Sequence, residues 1–94
     1  MRIYRYDLAC EPEQTIQIPQ DCEILSVDCR EGGITMWAAV DPEAPLVEQT
    51  FRVVATGEDM PDFYECMFIG TVVIRYTMAE IVYHIFVKAE EVEC

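Results

Sequence analysis

The sequence predicts an all-β domain, mainly antiparallel: a small β-sandwich or barrel of about seven strands, with at most a short helical turn near 62–66. Three observations carry this. Short β-branched and aromatic runs recur between turn signals spaced about every 8–12 residues. Nowhere does a helical apolar period run for two capped turns. The longest apolar stretch, Met67–Val87 (MFIGTVVIRYTMAEIVYHIFV), breaks only at Thr77-Met78-Ala79-Glu80, which is the pattern of a hairpin.

The elements follow in order. Arg2–Leu8 alternates weakly and is expected as an edge strand. Cys10–Gln14 is polar, holds Pro12 and turns. Thr15–Ile18 is a short strand closed by Pro19, which cannot donate to a ladder. Cys22–Arg30 alternates, with Leu25, Val27 and Cys29 on one face and Ser26, Asp28 and Arg30 on the other. Glu31-Gly32-Gly33 is a tight turn, with glycines free to take positive φ. Its hairpin partner is Ile34–Val40, with Ile34, Met36, Ala38 and Val40 on one face.

Asp41–Gln49 holds two prolines and three acids and reads as a surface loop. Thr50–Thr56 is the next strand. Gly57–Cys66 is a second loop, with four acids and the aromatic pair Phe63 and Tyr64. The hairpin then supplies two strands, expected to be central in their sheet. Phe68, Gly70, Val72, Ile74 and Tyr76 share one face of its first strand. Both faces of both strands are largely apolar, so either two layers cover them or a second subunit does.

A single domain is expected over 1–94, with its acidic end at 89–94 outside the ordered part. The 94 residues are 52% hydrophobic, enough for a core without disulfides. Eighteen acids against six bases leave a net charge of −12. That argues against direct nucleic-acid binding and against an anionic membrane surface, both of which need a basic patch. The odd cysteine count (Cys10, Cys22, Cys29, Cys66, Cys94) and the absence of a signal-peptide core favour a reduced, cytoplasmic setting. Arg75 and Glu80 interrupt the longest apolar run, so no membrane span is expected.

Catalytic chemistry finds little footing. Ser26 and His84, the chain's one serine and one histidine, both fall in strand interiors, with no strained elbow around the serine. His84 is expected to be a packed or hydrogen-bonded strand residue. The cysteines lack the nearby cations that would activate a thiol. Cys10, Cys22, Cys29 and His84 show no zinc-knuckle spacing, and Gly57–Asp62 lacks the alternation of a calcium loop. No phosphate-cradling glycine motif occurs. No enzyme activity, cofactor or metal is expected.

What stands out instead is acidic and aromatic. Asp41, Glu43 and Glu48 in one loop, and Glu58, Asp59, Asp62 and Glu65 in the other, surround Phe63 and Tyr64. Apolar anchors ringed by charge are the pattern of a protein-binding patch.

Five landmarks carry a resemblance. In order they are Glu23-Ile24-Leu25-Ser26-Val27, Trp37–Pro45 (WAAVDPEAP), Phe51–Gly57 (FRVVATG), Phe68-Ile69-Gly70-Thr71-Val72, and Tyr83-His84-Ile85-Phe86. With Ile3-Tyr4-Arg5-Tyr6 before them, the chain resembles a functionally uncharacterised family of small proteins encoded by phages and prophages. The resemblance implies an origin inside a bacterial host and carries over no site residues. Where that family reads Gly-Thr-Gly-His, this chain reads Ala55-Thr56-Gly57-Glu58, so no role for a histidine transfers there.

The expected function is therefore a small acidic accessory protein that binds a host protein with a basic surface, for example to inhibit a defence or nucleic-acid-processing complex. One alternative is a homo-oligomeric, virion-associated protein that uses the 67–87 hairpin as its interface. Another is a binder of a small signalling nucleotide, which would need Arg2, Arg5, Arg52 and Arg75 to converge.

Overall fold

A computed structural model describes residues 1–89. The strands are β1 (Arg2–Leu8), β2 (Glu13–Pro19), β3 (Glu23–Arg30), β4 (Gly33–Val40), β5 (Leu46–Ala55), β6 (Cys66–Arg75) and β7 (Glu80–Lys88), with a short 3-10 turn at Phe63–Glu65. They form two antiparallel sheets, one ordered β1-β4-β3 and the other β2-β5-β7-β6. Each sheet turns one face inward. Leu8, Ile34 and Met36 from the first meet Ile18, Phe51, Val53, Val72, Ile74 and Ile85 from the second in one buried cluster. That is a sandwich, stabilised chiefly by the apolar area it removes from water.

The expected edge position of β1 and the helical turn near 62–66 are both observed. So is the β3–β4 hairpin, although its turn differs in detail. Positive φ falls on Glu31 (52°) and Gly32 (78°), not on Gly33, which already starts β4. Positive φ at both central residues is the type I′ geometry that matches the twist of a two-residue hairpin.

Four expectations need correction. The 67–87 hairpin does not supply both central strands. β7 is internal, but β6 lies at the edge and β5 takes the other central place. The connection after β5 is long enough to pass over β7, so sequence neighbours need not be sheet neighbours. The loop expected at Asp41–Gln49 ends at Pro45. Leu46–Gln49 already belong to β5, where they pair with Ile16–Pro19 of β2. β2 is correspondingly longer than Thr15–Ile18, and Pro19 is tolerated because it ends an edge strand.

The other two corrections share a cause. The β3–β4 register shifts between Ile24 and Ser26, and the β6–β7 register shifts between Phe68 and Gly70. Each β-bulge inserts one extra residue and resets which face the following side chains occupy. Leu25 therefore leaves the core and is 48% exposed, while Ile24, Val27 and Cys29 pack inward. Likewise Phe68 stands opposite Phe86 on the outer face, not beside Val72 and Ile74 within. The bulged strands meet across the sandwich at Gly70, where an added Cβ would come within 2.7 Å of Val27 Cγ2. A side chain there would separate the sheets.

The outer face of β7 is partly covered by the chain's own connection, which leaves Phe86 buried. That of β6 is not covered: Phe68 and Val73 remain exposed there, while Met67, opposite Val87, is exposed on the other face at the rim of the sandwich. The expectation for the acidic end falls on residues 90–94, which lie outside the described residues, as do Cys94 and the Glu90, Glu91 and Glu93 cluster. Ala89 is described, and its N–H donates to the Glu65 carbonyl at 2.8 Å.

Candidate functional site

β5 and β6 both run antiparallel to β7, so they run parallel to each other. Parallel strands cannot be joined by a tight turn. The segment 57–65 must therefore travel back over the outer face of the second sheet, as a strap across β7. Arg52 fastens it. Its Nη1 donates to both carboxylate oxygens of Asp62 at 2.8 Å, and its Nε donates to the Pro12 carbonyl at 2.8 Å. Both side chains of the pair are largely shielded from solvent, at 14% and 13% exposure.

The strap carries aromatic residues onto the sheet. Phe63 meets Phe86 edge-on at 6.0 Å between ring centres, Tyr64 meets Phe63 at 5.2 Å, and Phe68 meets Phe86 at 5.5 Å. The result is a row, Tyr64–Phe63–Phe86–Phe68, whose inner member is buried and whose others are not. Tyr64 is 96% exposed, Phe68 56% and Phe63 50%. Met67, also exposed, adjoins the row in sequence. Large aromatic groups left in water at one place mark an interaction surface far better than scattered ones do.

The acids expected to ring this surface divide into separate groups. Asp41 and Glu43 precede the Leu46 end of β5, where the Asp41 carboxylate caps its own turn by accepting the Glu43 N–H at 3.0 Å. Glu48 stands exposed on β5, opposite Gln17. The strap leaves from the other end of that strand, which spans roughly 33 Å over its ten residues. The two loops thus do not merge into one patch. Within the strap, Glu58 turns back to accept the Ala55 N–H at 2.9 Å, and Asp62 is taken by Arg52. Asp59 and Glu65 are exposed, with no side-chain partner among the described residues. Phe68 belongs to the surface although the sequence pattern assigned it to the face of Val72 and Ile74, because the bulge that turns it outward leaves no mark in a two-residue period.

The potentially reactive side chains are placed apart. Ser26 lies on the outer face of the first sheet, opposite Trp37. His84 lies on the outer face of the second, between Thr56 Oγ1 at 2.7 Å from its Nε2 and Thr71 Oγ1 at 3.0 Å from its Nδ1. The sandwich stands between them. Cys10, Cys22, Cys29 and Cys66 are free thiols, and Cys29 and Cys66 are half-buried, not fully buried. Burial pushes the Cys66 thiol up, and the negative charge of Asp62 beside it adds to the effect. Burial likewise raises Cys22 and Cys10. These shifts oppose thiolate formation. Among the described residues no three His, Cys, Asp or Glu side chains gather closely enough to hold a metal ion.

The arginines do not converge. Arg52 holds the strap, and Arg75 lies 3.7 Å from Glu80 beside the β6–β7 turn. Arg2 and Arg5 sit on β1, where Arg5 and Arg30 share a shallow hollow with Asp7 and Glu31. No described helix is long and apolar enough to cross a membrane.

A family model described as a domain of unknown function, DUF7352, matches residues 1–93. No curated protein matches the chain, and no solved structure does.

Proposed function

This chain belongs to the family described as domain of unknown function DUF7352, and from that premise we propose that it is a non-enzymatic, phage-type accessory protein that binds a host protein in the bacterial cytoplasm. The single observation that carries the reading is the row Tyr64–Phe63–Phe86–Phe68, whose exposed members Tyr64 and Phe63 ride on a strap that also bears Glu58, Asp59 and Glu65 and whose Phe68 is exposed on β6. The aromatics anchor the contact, and the acids select a basic surface. The net charge of −12 steers encounter with such a surface and repels nucleic acid itself. A basic groove that serves DNA or RNA is the kind of target this chemistry blocks.

The scattering of Arg2, Arg5, Arg52 and Arg75 speaks against the nucleotide-binding alternative. A homo-oligomer has one observation in its favour: Met67, Phe68 and Val73 are exposed on the edge strand β6. The mass in solution at micromolar concentration separates the two, since the accessory-protein reading expects a monomer.

The deciding experiment captures partners from host lysate on the wild-type chain and on Tyr64→Ala, whose side chain is too exposed to affect folding. One protein should be retained by the wild type at low salt, and released both by the substitution and by about 1 M salt, where the screening length falls to roughly 3 Å. Capture that ignores both salt and Tyr64 would overturn the reading.

A further inference from the structure

We infer that the sandwich holds an anchor pocket for its partner: the cleft where the sheets flare beyond Gly70, which takes one bulky apolar side chain from a basic segment. The inference rests on the reading above and names the chemistry that the site receives.

The cleft follows from the two bulges. Gly70 against Val27 pins the sheets at close approach. Just beyond this point the extra residues Leu25 and Ile69 bend β3 and β6, as bulges do. The sheets part, and a cleft of ≈ 410 Å³ opens between them. Its walls include Ile18, Ile24, Ile69 and Val87, side chains that would otherwise be ordinary core. A concave apolar site with a few polar groups at its mouth is the usual form of a binding pocket, and this volume lies in the usual range.

Two further observations indicate the occupant. Met67 and Phe68, consecutive on the edge strand β6, both border the cleft, and Phe68 turns outward to end the aromatic row, 5.5 Å from Phe86. Pocket and row are therefore one continuous surface. The charge at the mouth is acidic: Glu23 lines the cleft, and exposed Asp21 lines the hollow beside it, which shares Ile18, Cys22 and Gln49. The Gln49 Nε2 is already committed, donating to the Lys88 carbonyl at 2.8 Å, so the side chain keeps only its acceptor oxygen for a ligand. The groups left to select a ligand are apolar walls, carboxylates and this one acceptor. They suit a leucine-like side chain flanked by lysine or arginine, and they disfavour an anionic ligand.

The test uses two basic peptides that differ only in their central residue, leucine or alanine, titrated into the isotope-labelled full chain at low salt. The leucine peptide should bind about tenfold more tightly, the value of burying one aliphatic side chain. It should move the methyl signals of Ile24, Ile69 and Val87, and the exposed-site variants Glu23→Lys and Met67→Lys should weaken it. Equal affinity for the two peptides with unmoved methyl signals would overturn the pocket and leave the charge-based reading intact. Failure of both peptides to bind would overturn the two together. Methyl shifts that track protein concentration without peptide would make a second copy of this chain the occupant, and would overturn the inference.

Discussion

Arg52 and Asp62 meet through two 2.8 Å hydrogen bonds in a setting largely closed to water, and this pair fixes where the strap lies. Asp62 was one acid among many in the sequence. In the structure it is unavailable to a partner, because its charge is spent on Arg52. Removing either member leaves the other shielded and uncompensated, which is the costly way to break an ion pair. Asp62→Ala should destabilise the fold by about 2–4 kcal/mol in urea unfolding, somewhat below the fully buried case. Amide exchange at Phe63–Glu65 should accelerate more than exchange in β4. A loss under about 0.5 kcal/mol, the scale of an exposed pair, would mean that the strap is held by its aromatics instead.

Gly70 is demanded by packing, since its backbone takes no positive φ. Gly70→Ala places a methyl 2.7 Å from Val27 Cγ2, and valine's stiff side chain cannot swing clear easily. The expected cost is about 1–3 kcal/mol, typical of overpacking. Val27→Ala should recover part of it, so the double-mutant cycle should show a favourable coupling of at least about 0.5 kcal/mol. Strict additivity would place the strain elsewhere.

The same two strands show what was legible in the sequence and what was not. Alternation located β3 and β6 and their hairpin partners, because burial on one face imposes a period of two. It placed Ile34, Met36, Ala38 and Val40 correctly on one buried face. It held beyond the bulges, at Val27, Cys29, Val72 and Ile74, and failed at Leu25 and Phe68, since one inserted residue puts the two sides of a bulge out of phase and carries no residue-type signature. Pro42 and Pro45 concealed the start of β5 at Leu46, because proline excludes the residues it occupies from a ladder but not those that follow. The aromatic row was half visible. Phe63 and Tyr64 could be picked out from their acidic loop, whereas Phe68 and Phe86 joined them only through a crossover that local pattern does not encode.

Glu31 offers a gain in stability. At φ 52° it occupies the left-handed region that asparagine and glycine tolerate better than glutamate does. Glu31→Asn creates the Asn-Gly pair preferred in type I′ hairpins and should raise stability by about 0.5–1 kcal/mol. A neutral or negative change in thermal midpoint would show that the Glu31 side chain contributes to the turn.

Alkaline pH should weaken the fold. Burial raises Cys22, Cys66 and Tyr83 above their ordinary values. A group whose folded pKa is raised stabilises fully below its unfolded pKa, and that contribution is lost as pH climbs through the folded one. For the thiols the loss begins near pH 8.5, the ordinary cysteine value. The urea midpoint should fall between pH 8 and 10, and more gently in Cys66→Ala than in the wild type. Equal slopes would remove Cys66 from the effect.

His84 is held on both sides, by Thr56 and by Thr71, so its imidazole ties the end of β5 to β6 across β7. A neutral imidazole donates through one nitrogen and accepts through the other, and hydroxyls adapt to either tautomer. The arrangement therefore needs no charge and no catalytic purpose. His84→Phe keeps the ring and forfeits both hydrogen bonds, leaving the threonine hydroxyls near enough to solvent to be rehydrated. The expected cost is about 1–2 kcal/mol, less than two fully buried bonds would cost. Thr56→Val and Thr71→Val should each cost less than His84→Phe. Combined with it, neither should add more than about 0.3 kcal/mol, because the shared interaction is already gone. Partner capture by His84→Phe should equal that of the wild type. A selective loss of capture at unchanged stability would move His84 from the framework of the sheet to the binding surface, and the outer face of β7 would then be read as continuous with the aromatic row.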